Sequence, residues 1–574
     1  MVETGAPANI ESFYKFTDDV YNPDLYETWK PKIQAYLDAR EKNTPSEFTV
    51  PASKIPSTLD STPFNTLKFL NESSYLSEEE KTITGLSATT LAAKIASSEY
   101  SSVQVLKAFA HRCVIGHQFT NSAMDFLITE GLARAQELDD ILAKTGKTVG
   151  SLHGIPISLK EQIGVAGRIT NGGWVGWLDN IPKEDAITVQ VLRNLGAVFY
   201  VRTNQPQSLM HLDSNNNIIG RSRNPINSLL TPGGSSGGEG AVVGYRGSPI
   251  GVGTDIGGSI RAPAAFSGTY GLRPTTRRIS TWGGVSSGKG QESVVAVAGP
   301  LSNSIEDIEL FMEAYINEGK PWDLDPWCLP IPWRKVEKPE PKSITVAIMY
   351  DDGLVKPHPP ITRGLEYTAK KLEEAGVNVI KFEPLETKKA YDVVHEMYSC
   401  DGNVAQKNML KPSGEPMLPL TKWALSMGKG DVKYSITENK ELNYQRDVLR
   451  KLYNDYFVQN KVDFILCPTY TGVAPVCIDD GIAGPYYWGY TSLFNLLDLP
   501  GLIVPTGLSQ DPKIDLKDES YVPRSDIDKI EQDKYIPELF VDAPICLQLV
   551  GRRYFDEDVV ACGKLFKDVL GSKE

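Results

Sequence analysis

Two serine–glycine runs constrain this chain more than any other feature: Pro232–Gly240 (PGGSSGGEG) and Gly253–Arg261 (GTDIGGSIR). A Gly/Ser run often marks a flexible linker. These two are flanked by AVVGYRGSPIGVG and APAAF, segments dominated by small and apolar residues. They read as parts of a packed body, not as a tether. Neither run leads into Lys-Ser or Lys-Thr, so neither is a phosphate-binding P-loop. Gly251 and Gly253 begin a G-x-G-x-x-G pattern, but Ile256 stands at its third place, so the dinucleotide fingerprint fails.

A nucleophile elbow is a further reading. Gly234-Ser235-Ser236-Gly237-Gly238 matches G-x-S-x-G with Ser236 at its centre, and Gly284-Val285-Ser286-Ser287-Gly288 matches as well. An elbow needs a strand before it, a helix after it, and later an acid and a histidine. Pro232 interrupts the approach to the first. The six histidines are His111, His117, His153, His211, His358 and His395, and none follows His395. Both points disfavour the elbow. Serine chemistry without histidine needs another base, and a lysine can serve only when neutral. Burial lowers a lysine pKa from ~10.4, because desolvation disfavours the charged form. Lys160 lies in HGIPISLKEQIGV, on an apolar strand-like run where burial is expected. Taken alone, that segment does not displace the ordinary reading of a solvated surface charge.

Charge and cysteine content narrow the function class. The formal net charge of −13 gives no global basic face for nucleic acid or anionic membrane. Seven cysteines, odd in number and without a CxxC, argue against a disulfide scaffold or zinc ribbon and for reduced, buried thiols. The N-terminal MVETGAPANIESFYKF lacks the pattern of a signal peptide, and no apolar run approaches ~18 residues. The expectation is a cytoplasmic protein with no transmembrane anchor, metal or organic cofactor.

Residues 1–85 read as a peripheral arm packing on the core, with a helix over Tyr26–Arg40 broken or kinked at Pro31 and a Pro/Ser/Thr-rich irregular stretch after it. Helical patterns begin at Ser87 and Ser101, both plausible N-caps. Ile155–Leu159 reads as a strand, Ala186–Leu195 as a helix ended by Gly196, and AVFYV as the next strand. SITVAIM, VNVIKF, VDFILC, GLIVP and ICLQLV are further strand-like runs, and PPITRGLEYTAKKLEEAG is a helix closed by Gly376. This α/β alternation predicts a largely buried sheet covered by helices. Lys429–Lys440 (KGDVKYSITENK) reads as a charged, solvated segment.

Taken together, GSLHGIPISLKEQIGVAG, PGGSSGGEGA and GTDIGGSIRAPAAFSGTYGLRPT resemble the amidase signature family, over roughly residues 85–565. FNLLDLPGLIVPTG and APICLQLVGRRYFDED place the resemblance nearest the fungal acetamidase or general amidase branch. The core runs are also shared with fatty acid amide hydrolase, although the chain lacks the hydrophobic N-terminal anchor of that enzyme's membrane-bound forms. The resemblance implies a single large mixed β-sheet with helices on both faces, filling a catalytic domain over residues 86–570. It implies Ser259 as nucleophile, Ser235 as bridging serine after a cis Gly234–Ser235 peptide, and Lys160 as base. The amides of Ile256, Gly257, Gly258 and Ser259 would form an oxyanion hole, with the glycines letting the backbone turn its N–H groups toward one point.

Asp255 and Arg261 are expected to brace that loop by ion pairing. Ser236 and Thr254 are expected to hydrogen-bond nearby, and Cys546 to be a packed thiol. Substrate-binding candidates are Trp174, Trp177, Leu209, Met210, Gly233, Gly234, Tyr486, Tyr487, Trp488 and Tyr490. An apolar pocket of this kind favours neutral amides, and a carbamate ester such as urethane presents the same carbonyl and NH2. The competing readings are a glutamine-amidohydrolase subunit of the same family and a catalytically silent scaffold. The expected partner is a small amide or carbamate, not nucleic acid, and a homodimer is the one self-association entertained.

Overall fold

The computed structural model describes residues 10–477 and 484–571. Residues 1–9, part of the stretch read above for a signal peptide, lie outside the described residues, as do the last three. So does the segment 478–483.

One mixed sheet organises the chain. Its strands are β1 (Ala123–Phe126), β2 (Pro156–Lys160), β3 (Val198–Thr203), β4 (Ile250–Asp255), β5 (Tyr270–Arg273), β6 (Val297–Ser302), β7 (Thr345–Ile348), β8 (Asn378–Lys381), β9 (Phe464–Pro468), β10 (Gly501–Ser509) and β11 (Pro544–Val550). Their spatial order is β1-β3-β2-β4-β6-β5-β10-β11-β9-β7-β8. β2 runs parallel to β3 and β4, and β7 runs parallel to β8 and β9. The pairs from β4 through β6, β5, β10 and β11 to β9 are antiparallel. Every residue of β2, β3 and β9 is buried, so both faces of the sheet are covered. The free edge at β8 is half exposed and carries Asn378 and Lys381, polar residues that discourage edge-to-edge pairing.

Local signals place most elements where the sequence predicts them. Ser87 and Ser101 each accept a backbone N–H as N-caps. The helix Pro359–Ala375 ends at left-handed Gly376 (φ +96°). The arm helix expected over Tyr26–Arg40 is broken, at Thr28–Trp29: Pro23–Glu27 and Lys30–Lys42 are separate helices, and Pro31 sits in the first turn of the second, where no N–H is needed. The Lys429–Lys440 segment is largely exposed, as its charge suggests, and it also holds partners. Asp431 accepts from Lys407 Nζ (2.7 Å) and from the Thr17 backbone (2.8 Å) of the arm, and Ser435 with Glu438 forms the capping box of the helix Ile436–Gln459.

Arm residues pack widely on the rest of the chain. Phe16 and Val20 join a cluster with Trp174, Leu209, Met409 and Leu410, and Arg40 donates to the Ala123 carbonyl. Among the described residues no helix is long and apolar enough to cross a membrane.

The helix Gly237–Gly244 is laid directly onto backbone. A Cβ at Gly238 would lie 2.3 Å from the Asn204 nitrogen and 2.6 Å from the Ser122 carbonyl oxygen. A Cβ at Gly85, the last residue of the helix Glu78–Gly85, would meet nothing within 4 Å. Gly238→Ala should therefore destabilise by about 1–3 kcal/mol or more, as overpacking does. Gly85→Ala should be neutral or stabilise by up to ~1 kcal/mol by restricting the unfolded chain. Paired urea unfolding curves check this, and equal shifts in the two variants would refute the close approach at Gly238.

Candidate active site

β2 and β4 lie side by side and parallel, so their C-terminal ends emerge together. β2 ends at Lys160, and β4 runs into the loop 256–260, which opens the helix Arg261–Ser267. The first serine–glycine run lies against that loop, with the Ser236 N–H donating to the Ser259 carbonyl at 3.2 Å. Ser236 also exchanges hydrogen bonds with Thr254: its hydroxyl donates to the Thr254 carbonyl and accepts the Thr254 N–H, both at 3.2 Å. The peptide Gly234–Ser235 is cis.

Lys160 Nζ lies 2.6 Å from Ser235 Oγ and 2.8 Å from Thr254 Oγ1. The Thr254 hydroxyl donates to Gln162 Oε1 at 2.9 Å, and Gln162 Nε2 donates to the Val285 carbonyl at 3.1 Å. Lys160 is fully buried. Desolvation pulls its pKa well below the ordinary lysine value, against the opposing pull of Asp255 and Glu239. Glu239 is buried on the helix that follows the first run, and accepts from the hydroxyls of Ser158 (2.5 Å) and Thr203 (2.6 Å). Burial pushes its pKa up to about 8, although those hydrogen bonds and Lys160 work the other way. Burial therefore favours the neutral form of both groups.

Asp255 behaves oppositely. Burial would raise its pKa, but the charge and hydrogen bonds of Arg261 hold it below the usual carboxylate range. Its Oδ1 accepts from Gly258 N–H (2.9 Å), Arg261 Nη2 (3.0 Å) and Asn495 Nδ2 (2.8 Å), and its Oδ2 from Ile260 N–H (3.1 Å) and Arg261 Nε (3.1 Å). Arg261 reaches onward to Asn495 and Gln548 (2.5 Å each) and to the Thr491 carbonyl (3.0 Å). The bracing expected of this pair is thus what the geometry gives. It also commits the Gly258 amide to Asp255, so the N–H groups of Ile256, Gly257 and Ser259 are those without a protein acceptor among the described residues. Gly258 supplies the turn itself, at φ +131°.

The substrate-binding candidates scatter. Trp174 and Leu209 share the apolar cluster with the arm, with Trp177 packed beside it, and the buried Trp174 indole N–H has no acceptor among the described residues. Met210 is partly buried against the main core. Gly233 and Gly234 pack on the backbone of Pro263 and Asp213. Tyr486 faces Trp423 and Lys534, Tyr487 donates to Asp352, and Tyr490 donates to the Val355 carbonyl. Trp488 is the aromatic candidate brought against the glycine loop, 3.6 Å from where a Cβ on Gly257 would stand. Cys546 is buried, and burial raises its thiol pKa above the ordinary range.

No hydrogen bond joins any of the six histidines to Lys160, Ser235 or Ser259 among the described residues. His395 is turned to the Tyr391 carbonyl (2.7 Å), and burial pulls its pKa down to about 4. Nor do three or more His, Cys, Asp or Glu side chains converge there as a metal-holding group. Sequence reasoning missed Gln162, Tyr398 and Thr491. Gln162 had a signal, standing two residues beyond Lys160. Tyr398 and Thr491 had none, being far along the chain. Tyr398 donates to the Ile256 carbonyl and Thr491 to the Gly257 carbonyl, each at 2.6 Å.

Comparison with known proteins adds to this geometry. A family model described as Amidase matches residues 104–560. A putative amidase of Schizosaccharomyces pombe is 40% identical over 536 residues, covering 93% of this chain and 98% of that protein. An acetamidase of Emericella nidulans is 40% identical over 516 residues, covering 88% and 93%. A solved structure titled fatty acid amide hydrolase superposes with a TM-score of 0.96 at 53% identity, covering 98% of this chain and all of that one.

A buried, neutral lysine leaves a mark on stability. Its folded pKa is depressed, so between that value and ~10.4 the unfolded chain binds the extra proton and stability rises with pH. Below the folded value the penalty is complete and constant. Lys160→Met should therefore gain most over the wild type at low pH, and the gain should shrink as pH climbs toward ~10.4. Urea midpoints across pH measure this, and a gain that is flat or grows with pH would mean that Lys160 is charged in the folded protein.

Proposed function

The chain belongs to the amidase family, and from that premise we propose that Ser259, Ser235 and Lys160 carry its amide hydrolysis as a proton relay. The observation that carries this reading is the 2.6 Å contact between Ser235 Oγ and the amine of Lys160, which burial drives toward its neutral form. Neutral Lys160 accepts the Ser235 proton as Ser235 accepts that of Ser259. Ser259 Oγ attacks the carbonyl carbon, and the carbonyl oxygen takes negative charge facing the amides of Ile256, Gly257 and Ser259. The proton returns through Ser235 to the leaving nitrogen, because an amide departs only when protonated. Ammonia or an amine leaves and an acyl-enzyme remains on Ser259. Water, deprotonated through the same relay, then releases the carboxylate and restores the three groups. The relay uses protein groups throughout. Thr254 and Gln162 orient the lysine: a neutral amine has one lone pair for Ser235, and one of its N–H groups is taken by Thr254.

For the substrate we propose a neutral carboxylic amide. The names of the relatives support this, since one is an acetamidase and another a fatty acid amide hydrolase. Trp488, packed against the glycine loop, offers an acyl group nonpolar surface. Carbamate esters share the carbonyl and NH2 of an amide and fall within the same reading. The seven cysteines are free, as suits a reducing compartment, and we place the enzyme in the cytoplasm.

Ser259→Ala should remain folded and lose more than about a thousandfold in turnover, with loss of labelling by a fluorophosphonate. Lys160→Met should lower acylation by orders of magnitude and erase the rise of kcat/KM with pH that marks deprotonation of a base. Ammonia release from short aliphatic, aryl and long-chain primary amides and from ethyl carbamate identifies the substrate class. Retention of more than a thousandth of wild-type activity by Ser259→Ala would move the nucleophile elsewhere. Turnover of glutamine alone would overturn the neutral-substrate reading.

A further inference from the structure

The loop 256–260 contains two successive peptides that the protein fixes unequally. The peptide between Gly257 and Gly258 is held at both ends: the Thr491 hydroxyl donates to its carbonyl at 2.6 Å, and its N–H donates to Asp255 at 2.9 Å. The peptide between Ile256 and Gly257 is held at one end. Its carbonyl accepts from Tyr398 Oη at 2.6 Å, while its N–H, that of Gly257, donates to no protein group among the described residues. Gly234–Ser235 is the one cis bond among the described residues, so this peptide is trans. In a trans peptide the C=O and N–H point in opposite directions. Whatever fixes the Ile256 carbonyl therefore aims the Gly257 N–H. Glycine at 257 makes a firm hold necessary, because its backbone turns more freely than that of any other residue.

We infer that Tyr398 is a positioning residue for amide hydrolysis, its hydroxyl aiming the Gly257 N–H at the oxyanion of the tetrahedral intermediate; the inference rests on the proposed reading of Ser259 as nucleophile. Tyr398 ends the helix Thr387–Tyr398, and its ring lies beside His395 and Trp488, with centroids 5.9 and 6.5 Å away. A Cβ on Gly257 would stand 3.2 Å from the Tyr398 hydroxyl, so glycine there lets the phenol approach. Desolvation, reinforced by the charge of Asp255, raises the phenol above its ordinary pKa and keeps it a donor over the working pH range.

Tyr398→Phe keeps the ring and its packing and removes only the hydroxyl. Losing an oxyanion donor outright costs about 10²–10³ in kcat, so mis-aiming one should cost roughly ten- to a hundredfold. KM should stay within about twofold. Affinity for a trifluoromethyl ketone, which places a tetrahedral oxyanion in the site, should fall in step with kcat/KM. In a Ser259→Ala background, adding Tyr398→Phe should leave the Kd for a ground-state amide within about twofold. Kinetics within twofold of wild type would overturn the inference. So would a loss of kcat with unchanged ketone affinity, or a matching loss of ground-state binding in the Ser259→Ala background. If Ser259→Ala itself stayed active, the failure would lie in the mechanism, whatever Tyr398→Phe did.

Discussion

The fully buried ion pair between Asp255 and Arg261 shapes everything around it. Removing two charges from water costs several kcal/mol per ion, repaid only when geometry is good and remaining donors and acceptors are satisfied. Here the satisfaction is nearly complete. Asp255 accepts the backbone N–H groups of Gly258 and Ile260, and Arg261 ties β4 to Gln548 on β11 and to Asn495 and Thr491 on the helix Gly489–Leu497. The pair spans both halves of the sheet and dictates the path of the glycine loop between them. Well-packed apolar residues often match a buried ion pair in stability, but here they would supply no acceptor for those backbone donors.

That commitment explains the state of the lysine. Asp255 is the carboxylate at the end of the strand neighbouring Lys160, and a free carboxylate there would hold the amine charged. With both Asp255 oxygens engaged by Arg261 and the loop, what remains is a Coulombic pull that desolvation outweighs. Glu239, the other acidic neighbour, is itself driven neutral by burial. One stretch of two parallel strands thus keeps one pair ionised and drives one amine toward its neutral form. The difference is hydrogen bonding: Asp255 meets six donor contacts, two of them from the Arg261 guanidinium, whereas Lys160 meets two neutral hydroxyls.

What was legible in the sequence follows the same division. Lys160, Ser235, Ser236, Thr254, Asp255, Ser259 and Arg261 lie in short runs whose composition is dictated by close backbone packing and by a buried loop; the runs were legible as packed structure, and the roles of their residues only through the family resemblance they carry. The strand runs of the C-terminal half were also legible, because burial on both faces makes them continuous and apolar. Pro31 marked the break only to within a turn, because a proline is equally at home in a first turn and at a break. The exposure of Lys429–Lys440 was legible from its charge, but its partner Lys407 was not, because charge alone names no partner. Tyr398 and Thr491 were invisible for a deeper reason. A hydroxyl that meets a carbonyl more than a hundred residues away leaves no local pattern, only the fold that brings them together.

The chain therefore divides its labour by sequence distance. Residues whose side chains move protons in the proposed relay come from β2, β4 and the two glycine-rich runs, where β2 and β4 are neighbours in the sheet. Residues that set the shape of the loop and its surroundings come from residues 391–548: Tyr398, Trp488, Thr491, Asn495 and Gln548. The two groups meet through the Ile256 and Gly257 carbonyls and through the Asp255–Arg261 pair. Asn495 and Gln548 thus bear on Lys160 through the carboxylate they help hold in place, whereas the hydroxyls of Tyr398 and Thr491 act on the backbone of the loop.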